Sequence, residues 1–145
     1  MSLNEKFATF KTTSLKIKKI NHHPAYEKFL TFINNLNNHF NLYSKQFIEN
    51  HIALNPPYVI KIGQSQYYCV YNLISYFLAN MFYDEDVKIN CIQVTKIIQK
   101  EKEKFILNLI INDLLKFFPL INKHTLDDNY FLLIDNLINT EIKAD

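Results

Sequence analysis

Arginine is absent from this 145-residue chain, and all sixteen basic residues are lysine. Arginine supplies the bidentate fork that grips phosphates, carboxylates and guanine edges, so its absence argues against sequence-specific DNA reading and arginine-clamped phosphate chemistry. Glycine is nearly absent too, with Gly63 alone. One glycine leaves no Gly-rich phosphate loop, neither of the dinucleotide nor of the P-loop kind. Tryptophan is missing, and the only cysteines are Cys69 and Cys91. Two cysteines are too few for a disulfide scaffold and read as buried thiols of a reducing compartment. A bridge between them is the alternative, because both fall on predicted strands. No run approaches the roughly eighteen apolar residues that a membrane span needs. The opening Met1-Ser2-Leu3-Asn4-Glu5-Lys6 lacks the apolar core of a signal peptide. A cytoplasmic, non-membrane protein is therefore expected.

Apolar residues make up 48% of the chain and aromatics 14%, which is enough to fold and excludes global disorder. The length suits one domain, 1–145. A net charge of +2 is too small to imply a polyanionic partner.

The pattern of apolar residues predicts an α+β fold: a small mixed sheet with a central hairpin, packed by helices and followed by a helical C-terminal part. Leu15-Lys16-Ile17-Lys18 alternates as a short edge strand with lysines outward. Pro24 opens a helix along which Tyr26, Phe29, Leu30, Ile33, Leu36 and Phe40 recur at helical spacing. Leu42, Phe47, Ile48 and Ile52 mark a second helical stretch or a continuation of the first. After Asn55-Pro56-Pro57, the β-rich segments Tyr58–Ile62 and Gln66–Tyr71 flank Gly63-Gln64-Ser65, a hairpin loop whose glycine can take a positive φ. Asn72 is placed to cap a helix carrying Leu73, Ile74, Phe77, Leu78, Met81 and Phe82 as one stripe. Asp84-Glu85-Asp86 then turns the chain into a strand over 87–94. From about Thr95 the chain reads as helical: an apolar helix Phe105–Phe118, ended by Pro119, and a last helix after Thr125-Leu126-Asp127-Asp128.

The stretch from Pro57 through Tyr71-Asn72-Leu73-Ile74-Ser75 to Ala79, followed by Lys88-Ile89-Asn90-Cys91-Ile92-Gln93-Val94, resembles the ParB/sulfiredoxin-like nuclease fold. Upstream, Leu15–Asn21 is similar to that family's opening strand, so the resemblance covers residues 15–94, with 95–145 as C-terminal helices. The family places a glycine, a charged residue and one or two arginines just after its second strand, a motif that binds nucleotide phosphates or nucleic acid. This chain has Tyr71-Asn72-Leu73-Ile74-Ser75 there, and Asn90 stands where the family has proline. The resemblance thus implies the scaffold with its motif degenerate, and no catalytic residue carries over.

Other candidate sites have structural readings that outweigh chemical ones. Asp84-Glu85-Asp86 suits a hard cation by composition, but reads as a solvated turn. His22-His23 precedes Pro24 as a polar loop rather than a metal site. Cys69 alternates with Tyr67 and Tyr71, an apolar setting that raises a thiol's pKa and suppresses nucleophilicity. Tyr67, Tyr71 and Tyr76 could stack on bases, and Lys100, Lys102 and Lys104 could track phosphates, but Glu101 and Glu103 interrupt the latter run. No cofactor and no metal is expected.

These readings favour a non-catalytic interaction or accessory protein of unknown partner. The surplus apolar surface of the C-terminal helices, including Phe117, Phe118, Leu132 and Leu133, implies a homodimer. The competing expectation is a divergent nucleotide- or nucleic-acid-binding ParB-like protein with nuclease or nucleotidase activity. Its phosphate contacts would fall to Lys16, Lys18, Lys19, Lys61 and Lys88.

Overall fold

Consecutive residues of a strand point to opposite faces of its sheet, so burial of both members of a pair means both faces are covered. Val59 and Ile60 are both buried, as are Cys69 and Val70. The computed structural model, which describes residues 8–34, 43–116 and 128–143, shows why. Among the described residues there are five strands: β1 (Ala8–Lys16), β2 (Ile20–His22), β3 (Tyr58–Lys61), β4 (Tyr67–Tyr71) and β5 (Lys88–Ile97). They form one mixed sheet in the order β1-β5-β3-β4-β2. The pairs β1/β5 and β3/β4 are antiparallel, whereas β5/β3 and β4/β2 are parallel. The described α-helices are α1 (Leu30–Asn34), α2 (Lys45–Leu54), α3 (Leu73–Phe82), α4 (Lys102–Lys116) and α5 (Asp128–Lys143). The α+β class read from the pattern is the observed class.

The hairpin forms where β-branched and aromatic residues concentrate, with Val59 opposite Cys69 and Lys61 opposite Tyr67. Its loop closes by the Ile62 N–H donating to the Gln66 carbonyl at 2.9 Å. Gly63 does not take the positive φ expected of it, and a Cβ added there would meet nothing within 4 Å. Five residues between the strands are enough to turn without a left-handed residue.

The first strand is longer than its sequence signal and ends sooner. It starts at Ala8 and stops at Lys16, because Ile17–Lys19 is a 3-10 turn. There the Ile17 N–H donates to Val87 O and the Lys18 N–H to Glu85 O, both at 3.0 Å. The acidic turn thus takes the donors that a continuing strand would have spent on the sheet. From this turn the chain crosses to β2 at the opposite edge.

Pro24–Phe29 is a 3-10 helix that runs into α1, and the expected positions Leu36, Phe40 and Leu42 lie outside the described residues. Of the two readings for the next stretch, α2 is a separate helix. The Ser44 side chain accepts the Phe47 N–H at 3.1 Å and fixes its start. β5 runs on to Ile97, past the Thr95 expected to open the helical part, and a 3-10 turn over Gln99–Glu101 leads into α4. The expected stripe on α3 is shifted: Ser75, Tyr76 and Ala79 are buried with Leu73, Ile74 and Leu78, while Met81 and Phe82 are exposed. Both faces of the first turn are covered, one reason being that Tyr76 reaches back to donate its hydroxyl to Ile20 O at 2.9 Å.

A candidate ligand-binding recess at the start of α3

Asn72 joins β4 to α3 and is the one described non-glycine residue with a positive φ, 57° with ψ 46°. It stands in the N-cap position, but its side chain makes no capping bond. Instead its Nδ2 donates to Pro56 O at 2.9 Å and its Oδ1 accepts from Lys116 Nζ at 2.6 Å. These two bonds hold the side chain across the chain's path, and an asparagine tolerates the left-handed region better than most residues.

The cap comes from another helix. Asp113 of α4 is 0% exposed. Its Oδ1 accepts the Asn72 N–H at 3.0 Å, and its Oδ2 accepts the Leu73 N–H at 3.1 Å. The Tyr26 hydroxyl donates to Oδ2 at 2.7 Å. A carboxylate is an acceptor without a donor, and three donors aimed at it suit its ionised form. Burial pushes the Asp113 carboxyl above its ordinary value, while the Tyr26, Leu73 and Asn72 bonds and the Lys116 charge pull the other way. Lys116 Nζ lies 3.5 Å from Oδ1 and 4.0 Å over the Tyr71 ring. Burial first, and then the neighbouring Asp113 charge, pushes the Tyr26 phenol well above its ordinary value, so it stays a donor.

Beside this cluster lies a recess of about 210 Å³, lined by His51 and Asn55 from the end of α2, by Asn72, Ile74 and Ser75 at the start of α3, and by Asp113 and Lys116 of α4. Ser75 is 1% exposed, and its Oγ is the one buried side-chain polar atom without a hydrogen-bond partner among the described residues. Asn55 Nδ2 donates to His51 O at 3.0 Å. Burial, reinforced by Lys116, holds the His51 imidazole below its ordinary value, so it is neutral at pH 7. With Asp113 and Lys116 of opposite sign, the recess carries little net charge, and a few polar groups interrupt a mostly apolar lining.

The lysines singled out in the sequence are elsewhere. Lys18 Nζ pairs with Asp86 Oδ1 at 2.6 Å and Lys16 Nζ approaches the same oxygen at 3.8 Å. Lys19 Nζ donates to Ser65 Oγ at 3.5 Å. Lys61 is exposed at the end of β3, and Lys88 is exposed on a wider groove of about 500 Å³ shared with Glu49 and Asp84. The structure brings Lys16 and Lys18 together, but around a carboxylate. Asp84-Glu85-Asp86 is the turn expected, and no group of metal-ligating side chains occurs among the described residues. His22 Nε2 lies 2.6 Å from Glu27 Oε1, and His23 Nδ1 accepts the Ala25 N–H at 3.0 Å. Both cysteines are buried and unbridged, and burial raises both thiols, Cys91 to about 12. Of the three tyrosines, Tyr76 is buried and Tyr71 lies under Lys116.

Asp113 is not among the residues singled out in the sequence, where it falls inside the apolar helix expected over Phe105–Phe118. Its spacing carried a signal: it is three residues after Ile110 and seven after Ile106, on the buried stripe of α4. An acid on that stripe must find partners. Ser75 carried no comparable signal, since one serine in an apolar helix is ordinary. No family model matches this chain, and comparison with curated proteins and with solved structures finds no significant similarity.

Proposed function

We propose that this chain is a non-catalytic interaction or accessory protein, homodimeric, built on a degenerate ParB-like scaffold. The observation that carries this reading is the position of Asp113. An incoming phosphate would use the first backbone N–H groups of the helix after the hairpin, where orphan donors and the helix dipole favour an anion. Here the chain's own carboxylate holds the N–H groups of Asn72 and Leu73. A phosphate would have to displace a buried, triply hydrogen-bonded anion or sit against it. Neither is favourable.

The same carboxylate is poorly suited to proton transfer, because its acceptor positions are already engaged. Apolar exposure on the C-terminal helices supports a partner surface: Leu132 is 58% exposed, and Leu115 and Ile138 are exposed with it. Phe117 and Phe118 lie outside the described residues.

Two measurements test the reading. Light scattering of the folded protein at micromolar concentration should return twice the chain mass, and a monomer mass would overturn the dimer. Thermal-shift titration with inorganic phosphate, nucleotides and a low-salt oligonucleotide panel should leave the melting temperature unchanged. A specific ligand at about a hundred times its Kd adds roughly 2.7 kcal/mol of stability. A shift of that size with any of these polyanions would favour the nucleotide- or nucleic-acid-binding reading instead.

A further inference from the structure

We infer that the recess beside Asp113 binds a small neutral molecule carrying both hydrogen-bond donors and acceptors, with the Ser75 hydroxyl as its buried anchor. The inference goes beyond the proposed function, and rests on it only in taking Asp113 as permanently engaged by the chain.

A buried hydroxyl without a partner is destabilising, and native proteins leave very few of them. Ser75 lies in the first turn of α3, and its backbone N–H is satisfied by Asn72 O at 3.1 Å. Its Oγ is buried and not satisfied, and Ser75 is one of the residues that line the recess. The other polar groups on the walls offer complementary chemistry. His51 presents an imidazole with one donor and one acceptor when neutral. Asn55 has its Nδ2 committed to His51 O, and its Oδ1 makes no bond among the described residues. Ile74 adds an apolar wall.

Charge selects among ligand classes. Lys116 would attract an anion, but Asp113 Oδ1 lies only 3.5 Å from its ammonium and Asn72 Oδ1 accepts from it at 2.6 Å. An anionic ligand would gain one compensated cation and face a buried carboxylate. A cationic ligand would meet the same arrangement in reverse. A neutral ligand with a donor for Asn55 and an acceptor for Ser75 meets neither penalty. The space of about 210 Å³ equals that of roughly seven waters, enough for a single-ring amide. The left-handed Asn72, held by Pro56 and Lys116, fixes one wall in place.

The test is an NMR titration of the full chain, following backbone amides with four probes: 2-pyridone as the neutral amide, methylammonium as the cation, and inorganic phosphate and AMP as the anions. Saturable shifts with 2-pyridone at Asn72–Ser75 and His51–Asn55 are expected. Ser75→Ala should weaken them about tenfold or more while melting no lower than the parent, since it removes an unpaired hydroxyl. Asn55→Ala should also weaken binding and serves as the second variant. No saturation by 2-pyridone up to its solubility limit, or binding unchanged in Ser75→Ala, would overturn the inference and leave the proposed function standing. Saturation by phosphate or AMP at these amides would overturn both.

Discussion

The Asp113 carboxylate accepts the backbone N–H of Asn72 at 3.0 Å across 41 residues of sequence. One side chain of the C-terminal part thereby caps a helix of the sheet-bearing part and ties both to Tyr26. Its removal should therefore be felt throughout the fold. Asp113→Ala leaves a buried phenol and two helix-start N–H groups unpaired, and an expected loss of about 3–5 kcal/mol follows. Asp113→Asn keeps an accepting oxygen but turns an amide N–H₂ toward donors, and about 1–3 kcal/mol is expected. Urea denaturation checks the order. Equal, small losses would show that the cap contributes little.

The left-handed backbone of Asn72 can be separated from its side-chain bonds. Asn72→Gly and Asn72→Ala both lose the contacts to Pro56 and Lys116, but only alanine strains at φ 57°. Alanine should be the less stable of the two by about 1 kcal/mol. Identical midpoints in denaturant would mean that the backbone relaxes out of that region.

Acid should weaken the protein through His51. Its folded imidazole is held below the ordinary value by burial and Lys116, so between the two values the unfolded chain binds more protons. The stabilising contribution is complete above about pH 6.5 and is lost as pH falls from there through the lowered folded value. His23 acts in the same sense through burial and His22. Asp113 acts oppositely: its raised value favours the folded state at acid pH, and that contribution is lost as pH rises through the folded value. Comparing the parent with His51→Gln at each pH cancels the Asp113 and His23 contributions, and the variant should lose less stability on acidification. Parallel pH profiles would remove His51 from the account.

Both thiols should resist modification in the folded protein. Cys69 and Cys91 are buried, and burial disfavours the thiolate that reacts. A disulfide reagent at pH 8 should titrate neither thiol in native buffer and both in denaturant. Rapid native labelling of either would contradict the packing around β4 and β5.

Much of the architecture was legible because its signals are local. Tyr58–Lys61 and Tyr67–Tyr71 are dense in residues that suit a pleated surface, and Leu73–Phe82 carries a helical stripe. The errors fell where a distant partner outweighs local preference. The chain leaves β1 at Lys16 because Glu85 and Val87 offer carbonyls there. Gly63 lies in a loop long enough to turn without its special freedom.

The candidate site was legible only as a place, the start of the helix after Tyr71. Its occupants were not, because His51, Ser75 and Lys116 carry no shared spacing along the chain. The five lysines chosen by composition were drawn to nearer partners or to solvent, as mobile surface cations commonly are.

By itself the sequence determined the fold class, the hairpin and the helix that follows it, since backbone preference and apolar periodicity act over a few residues. Only the tertiary structure decided the strand order, the cap on α3 and the lining of the recess. Those depend on which buried polar groups find each other across the chain, and a buried carboxylate accepts the donors that packing delivers, however far away they lie in sequence.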